Sequence, residues 1–405
     1  MAMSYKPSPE ILEKYAKVLV NFALGSGQGI KPGELIYLQA PLSALPFYRA
    51  LRKVIFDSGG LTIGSLADDM DGMGRYFFDK ATHEQLTSFP APYYKGLVAV
   101  VDHRIAIIAD HDVHELDKVD PKKMMLAQKS RKKAAEWFDK KENDGKYTWT
   151  LALYGTPSMA KEAGLSLEDY WDQIIKACFL QNNDPINKWK KVSAEVERVA
   201  KKLTDLNIGE LNVKGRDIDM HYKVGEKRKW LGGSGRNIPS FEVFTSPDWR
   251  GTEGWVKFNQ PLYYYGPKVE GIELHFKNGR VVKATAQKNQ KLLKEMLATD
   301  KGAAQLGEIS LTDKRLSHID KFMAETLFDE NMGGPYGNTH MAVGKSYHDT
   351  FTGDTSKLNK RITKQLGYNE SAIHVDMIST TDRTATAILG NGKKLVIYKN
   401  GQFTV

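Results

Sequence analysis

Apolar residues recur every three or four positions in some stretches of this chain and cluster in short runs in others. Over the first two hundred residues the two rhythms alternate. Ile11, Tyr15, Val18, Leu19 and Phe22 share one helical face, and Ser8-Pro9-Glu10 ahead of them offers an N-cap and a proline at the first helical position. Leu35–Ala40, after Pro32-Gly33, reads as a strand. Leu45–Phe56 returns to helical spacing and stops at Gly59-Gly60. Further strands are expected at Leu61–Leu66, Arg104–Ala109 and Tyr147–Tyr154, and helices at Lys122–Lys140, Leu167–Leu180 and Pro185–Leu206. Strands alternating with helices predict an α/β N-terminal domain with a mostly parallel sheet and covered faces.

The texture changes near Asp205. Glu210–Met220 alternates, and Gly254–Phe258, Gly271–Phe276 and Val281–Ala286 read as strands, the last two joined by a Lys277-Asn278-Gly279 hairpin turn. Asn289–Ala304 has helical spacing. Asn391-Gly392 and Asn400-Gly401 turns bracket Leu395–Tyr398. The expected division is therefore residues 1–206 as the α/β domain and 207–405 as a strand-rich α+β domain. No internal repeat is visible.

At 405 residues the chain can bury two cores. No apolar run approaches the roughly 20 residues needed to cross a bilayer. Glu13, Lys14 and Lys17 interrupt the first helix, so it is no signal-peptide core. Cys178 is the single cysteine, which excludes an intrachain disulfide and a thiolate cluster, and its apolar helical surroundings make it a core residue. These features together predict a cytoplasmic protein without a membrane partner. The net charge of +9 comes largely from lysines at Pro121–Lys133, Asp139–Lys146, Lys188–Lys202 and Gly225–Lys229. Most lie on amphipathic helices without interleaved exposed aromatics, so solvated helix faces are expected and no nucleic-acid partner. The positive field can still draw acidic substrates or peptide carboxylates.

Several local patterns invite chemistry and lose it on inspection. Gly25-Ser-Gly-Gln-Gly29 follows a helix and lacks the lysine of a phosphate loop. His111 and His114 in Asp-His-Asp-Val-His-Glu fit a loop better than a metal site. Gly232-Gly-Ser-Gly235 only approaches a nucleophile elbow. A more informative set lies in the C-terminal half: Glu242, Glu308, Glu330, His340, His374 and Asp376. Carboxylates mixed with imidazoles are the donors that zinc, cobalt and manganese favour. Ile373 and Val375 suit a strand, which turns His374 and Asp376 to one face. Glu242, Glu308 and Glu330 sit among apolar or small residues, where a carboxylate is costly unless paired or coordinated. A shared cation accounts for all three more simply than three separate caps or ion pairs.

The words around these residues run Arg236-Asn-Ile-Pro-Ser-Phe-Glu-Val-Phe-Thr-Ser-Pro247, Leu297-Ala-Thr-Asp300, Leu306-Gly-Glu308, Thr326-Leu-Phe-Asp-Glu-Asn331, His340-Met-Ala-Val-Gly344 and His374-Val-Asp376. In this order they resemble the thermophilic metallo-aminopeptidase family. The resemblance covers most of 207–405, and the N-terminal part fits mainly in architecture. It implies hydrolysis of peptides with a free N-terminus, at two adjacent divalent metal ions (zinc, cobalt, manganese or magnesium) in the C-terminal domain. Glu242, Glu308, His340, His374 and Asp376 match the family's metal ligands, and Glu330 an acidic position beside them. Tyr347 matches a tyrosine of the reaction centre, and Glu308 or Glu330 is the expected proton carrier. A homodimer is also implied. The segment between Glu330 and His340 is longer than the family pattern, and the tail after Asp376 lacks its acidic-glycine stretch. The rival reading is a basic binding protein with a degenerate metal site, which predicts salt-sensitive affinity and no chelator-sensitive hydrolysis.

Overall fold

The computed structural model describes residues 5–232, 235–264 and 267–405. Five strands form the first sheet in the spatial order Leu61–Ala67, Leu35–Pro41, His103–Ile108, Thr148–Leu153 and Asn237–Ile238, with every neighbouring pair parallel. The expected α/β architecture is present. Ser8 Oγ accepts from Ile11 N at 3.2 Å and starts the Pro9–Val18 helix, as its sequence predicts. That helix, its continuation Leu19–Ala23 and the helix Leu45–Asp57 pack on the sheet through Tyr15, Leu19, Phe47 and Leu51 against Ile36, Leu38 and Ile105. Residues from beyond 207 enter the same core, among them Ile238, Phe241, Leu327 and Phe328.

Some predicted helices are shorter than their spacing suggests. Lys122–Lys140 is two helices, Pro121–Ser130 and Lys132–Asn143, where Ser130 Oγ turns back onto Ala127 O at 2.7 Å and competes with the backbone ladder. The helix from Leu167 ends at Ala177, because Phe179 takes a left-handed φ of 58°. Asn289–Ala304 is helical only over Gln290–Leu297. Beyond it Asp300 spends its carboxylate on Gly302 N, Ser371 Oγ and Ala372 N, which fixes a turn instead. The alternation over Glu210–Met220 proves to be two strands, Ile208–Gly215 and Ile218–Lys223, folded as a hairpin. Short helices at Met73–Lys80, His83–Thr87 and Ala91–Val100, not foreseen from spacing, fill the connection between two sheet strands.

Among the described residues the second half builds two large antiparallel sheets, besides the two-stranded pair Leu262–Tyr263 and Lys268–Val269. One has eight strands, in the order Arg280–Thr285, Glu273–Lys277, Glu253–Lys257, Ile218–Lys223, Ile208–Gly215, Arg383–Leu389, Lys394–Lys399 and Gln402–Phe403. The other has five: His374–Ser379, Asn338–Gly344, Leu306–Thr312, Glu242–Thr245 and Leu231–Gly232. Val243, Ile309, Leu311, Met341, Val343, Val375 and Met377 put one face of the five-stranded sheet into a core shared with Leu211, Val213, Met220 and Ala385. Because side chains alternate along a strand, the residues between them face the other way. Those are Glu242, Glu308, His340, His374 and Asp376. Of the near-elbow Gly232-Gly-Ser-Gly235, Gly233 and Ser234 lie outside the described residues.

Candidate metal centre

Register brings the polar face to a point. Ser310 lies opposite His340, Ala342 opposite both Glu308 and Asp376, and Gly344 opposite His374. His340 Nε2 lies 3.1 Å from Glu242 Oε2, 3.3 Å from Glu308 Oε1 and 3.9 Å from Asp376 Oδ1. His374 Nε2 lies 3.3 Å from Asp376 Oδ1 and 3.9 Å from Glu308 Oε2. Glu330, at the end of the short Thr326–Asp329 helix, enters the same cavity, and Asn237 Nδ2 donates to its Oε1 at 3.0 Å. Tyr347 lines it too, its ring 4.7 Å from the His374 ring and its backbone N–H on Ser246 Oγ at 2.8 Å.

Supporting contacts orient the donors. His374 Nδ1–H donates to Lys345 O at 2.7 Å, so Nε2 is the nitrogen turned to the cluster. Gly307 makes room for that carbonyl: a Cβ there would stand 2.5 Å from Lys345 O. Ser310 Oγ donates to Glu242 Oε2 at 2.9 Å, and Ser240 Oγ to Glu242 Oε1 at 3.3 Å.

Electrostatics favour a bound cation. Glu242, Glu308, Glu330 and His340 are buried at 7%, 3%, 4% and 3% exposure, and no lysine or arginine among the described residues pairs with these three carboxylates or with Asp376. Burial pushes Glu308 up to about 7. Burial, with the Asp376 and Glu242 charges, lifts Glu330 well above the carboxylate range. Burial pulls His374 down, but Asp376 and Glu308 outweigh it and set it at about 9. His340 is likewise raised against its own burial, by Glu242 and Glu308. Protons thus stand in for missing positive charge. Glu308 Oε2 and Asp376 Oδ1 are shut off from solvent without a well-formed hydrogen bond. Three donor groups each converge within 4.8 Å: Glu242, Glu308 and His340; Glu308, His374 and Asp376; Glu330, His340 and Asp376. Oxygen and imidazole donors at this spacing fit divalent cations.

The family of thermophilic metalloproteases (M29) matches residues 8–403 of the sequence. The chain belongs to this family. It is 28% identical to aminopeptidase T of Thermus thermophilus over 97% of this chain and 98% of that one. It is 27% identical to aminopeptidase 2 of Geobacillus stearothermophilus, over 97% of both. The solved wild-type AmpT from Thermus thermophilus superposes with a TM-score of 0.82 at 26% identity, covering 98% of this chain and 99% of that one. Membership in M29 makes the chain a metal-dependent peptide hydrolase.

All seven residues singled out in the sequence, the six metal-ligand candidates and Tyr347, line one cavity. His111 and His114 stay apart from it. His114 is exposed and bonds Asp117 and Glu162. Cys178 is a buried core thiol. Sequence reasoning missed the supporting residues Asn237, Ser240, Ser310 and Trp149. Ser310 was recoverable, since it sits two residues from Glu308 on the same strand face. Trp149 carried no signal, because it reaches the cavity from the N-terminal sheet.

Proposed function

We propose that this M29 member removes N-terminal residues from peptides by hydrolysis at two adjacent divalent cations held by residues of 207–405. The chain is a metallo-aminopeptidase. The observation that carries the two-ion reading is the position of Glu308, whose oxygens face different imidazoles and which belongs to two of the three converging donor groups. Glu242, Glu308 and His340 would hold one ion, and Glu308, His374 and Asp376 the other. A divalent ion in such a site lowers the pKa of water toward about 7 and polarises a carbonyl oxygen.

The chain's own groups supply the rest. With both Glu308 oxygens committed, Glu330 is the carboxylate left to move a proton. Asn237 fixes one Glu330 oxygen, and the other takes the proton of the attacking water and passes it to the leaving amine. Burial, with Glu308 and Asp376 nearby, holds the Tyr347 phenol well above its usual range, so it stays a hydrogen-bond donor. It donates to the oxygen on which charge develops, a contact strongest in the transition state. Carboxylates in the closed cavity meet the free α-amine, which restricts cleavage to the N-terminal bond.

The proposal includes a homodimer and a cytoplasmic location, the first of which light scattering tests. Among the described residues no helix is long and apolar enough to cross a membrane. The test of function is an aminoacyl-anilide assay on chelated protein with single metals added back. Hydrolysis that returns with metal and fails on N-blocked substrates is expected. Equal hydrolysis of blocked substrates sinks the aminopeptidase reading.

A further inference from the structure

The cavity around the donor cluster measures about 40 Å³. At roughly 10–15 Å³ per water it holds a few atoms of a substrate and not a residue. The remainder of a peptide needs adjoining space. A second cavity of about 290 Å³ shares two wall residues with the first, Trp149 and Arg236. That wall is fixed. Arg236 Nη2 donates to Glu142 Oε1 at 2.7 Å and Nη1 to Asp349 Oδ2, and Trp149 Nε1 donates to the same Glu142 oxygen at 3.1 Å. The Arg236 guanidinium stands 5.8 Å from the ring centres of both Trp149 and Tyr347. It therefore joins the reaction centre to the larger cavity and offsets one of the two acidic charges on the wall.

One group lining that larger cavity is left to bind a ligand. Lys229 is half-buried, and its ammonium has no ion-pair partner among the described residues. A free cation in such a space complements a peptide's carboxylate.

We propose that this cavity binds the substrate downstream of the cleaved bond, with Lys229 holding the C-terminal carboxylate of a short peptide. The inference rests on the proposed aminopeptidase function. It makes short peptides with a free C-terminus the favoured substrates.

The test compares di-, tri- and tetrapeptide acids with their C-terminal amides, for the wild type, Lys229→Met and Lys229→Arg. In the wild type kcat/KM for the acid should exceed that for the amide by about tenfold at one length, through KM, the size of one charge-assisted hydrogen bond. Lys229→Met should bring that ratio close to one, and Lys229→Arg should keep most of it. A ratio near one at every length overturns the proposal, as does a preference that survives in Lys229→Met. If neither acids nor amides are cleaved, the aminopeptidase reading fails and takes this subsite with it. Cleavage without acid preference removes the subsite alone.

Discussion

Asp329 and Glu330 are neighbours in the chain, and both are buried carboxylates, yet they meet opposite fates. Asp329 turns back on its own segment and accepts from Met323 N at 2.7 Å and Glu325 N at 3.0 Å. Glu330 turns into the cavity, where its neighbours are Asp376, Glu242, His340 and Glu308. Burial raises both, Asp329 to about 7 and Glu330 well beyond its ordinary range. Burial and a raised pKa therefore do not distinguish a site from a scaffold. The difference lies in the partners: backbone N–H groups satisfy one carboxylate completely, whereas imidazoles and further carboxylates leave the other needing a cation.

Breaking the cavity side of this contrast should have the largest effect. Glu308→Gln keeps the volume and removes the shared charge, so kcat should fall on the order of 1000-fold with the circular dichroism spectrum unchanged. Retained activity would falsify the shared-ligand role. Glu330→Gln should cost about 100-fold in kcat and leave metal content intact, as expected of a proton carrier. Its neighbour answers in another currency. Asp329→Ala strands two buried N–H donors and should destabilise the fold by about 1–3 kcal/mol in urea titrations. If both variants behave alike, the contrast is wrong.

Acidity sharpens the same comparison. In the metal-free protein Glu308 titrates near 7 instead of 4.5, and His374 near 9 instead of 6.5. The folded state then binds protons that the unfolded chain has released. Stability from Glu308 is lost as pH rises from about 4.5 to 7, and that from His374 between about 6.5 and 9. The Glu308 part is on the order of 3 kcal/mol. Melting of chelated protein should thus weaken with rising pH, and added metal should rescue it most at the alkaline end. A metal-free Tm that climbs from pH 5 to 9 contradicts this. The smallest expected effect is that of Ser310→Ala, which frees Glu242 Oε2 and should weaken metal binding about tenfold by calorimetry.

The parallel sheet was readable because its strands are short apolar runs set between amphipathic helices. The site sheet was not. Every residue of Leu306–Thr312 and Asn338–Gly344 is buried, one face by the core and the other by the cavity; Glu308, Ser310 and Thr312 do alternate with Ile309 and Leu311, but Asn338–Gly344 shows no such run, since Ala342 and Gly344 share the face of His340. The donors were visible as residue types in unsuitable surroundings, and as words resembling a known family. What spacing alone did not reveal was their convergence, which depends on pairing among the strands that carry Glu242, Glu308, His340 and Asp376. The Trp149–Arg236 wall was hidden for the same reason, since it joins a strand of the first sheet to a segment of the second half.

The most direct test of the two-ion account is to titrate chelated protein with zinc or cobalt while following heat and aminoacyl-anilide hydrolysis together. Both should saturate at two ions per chain. Saturation of both at a single ion, or no hydrolysis at any metal load, would contradict it.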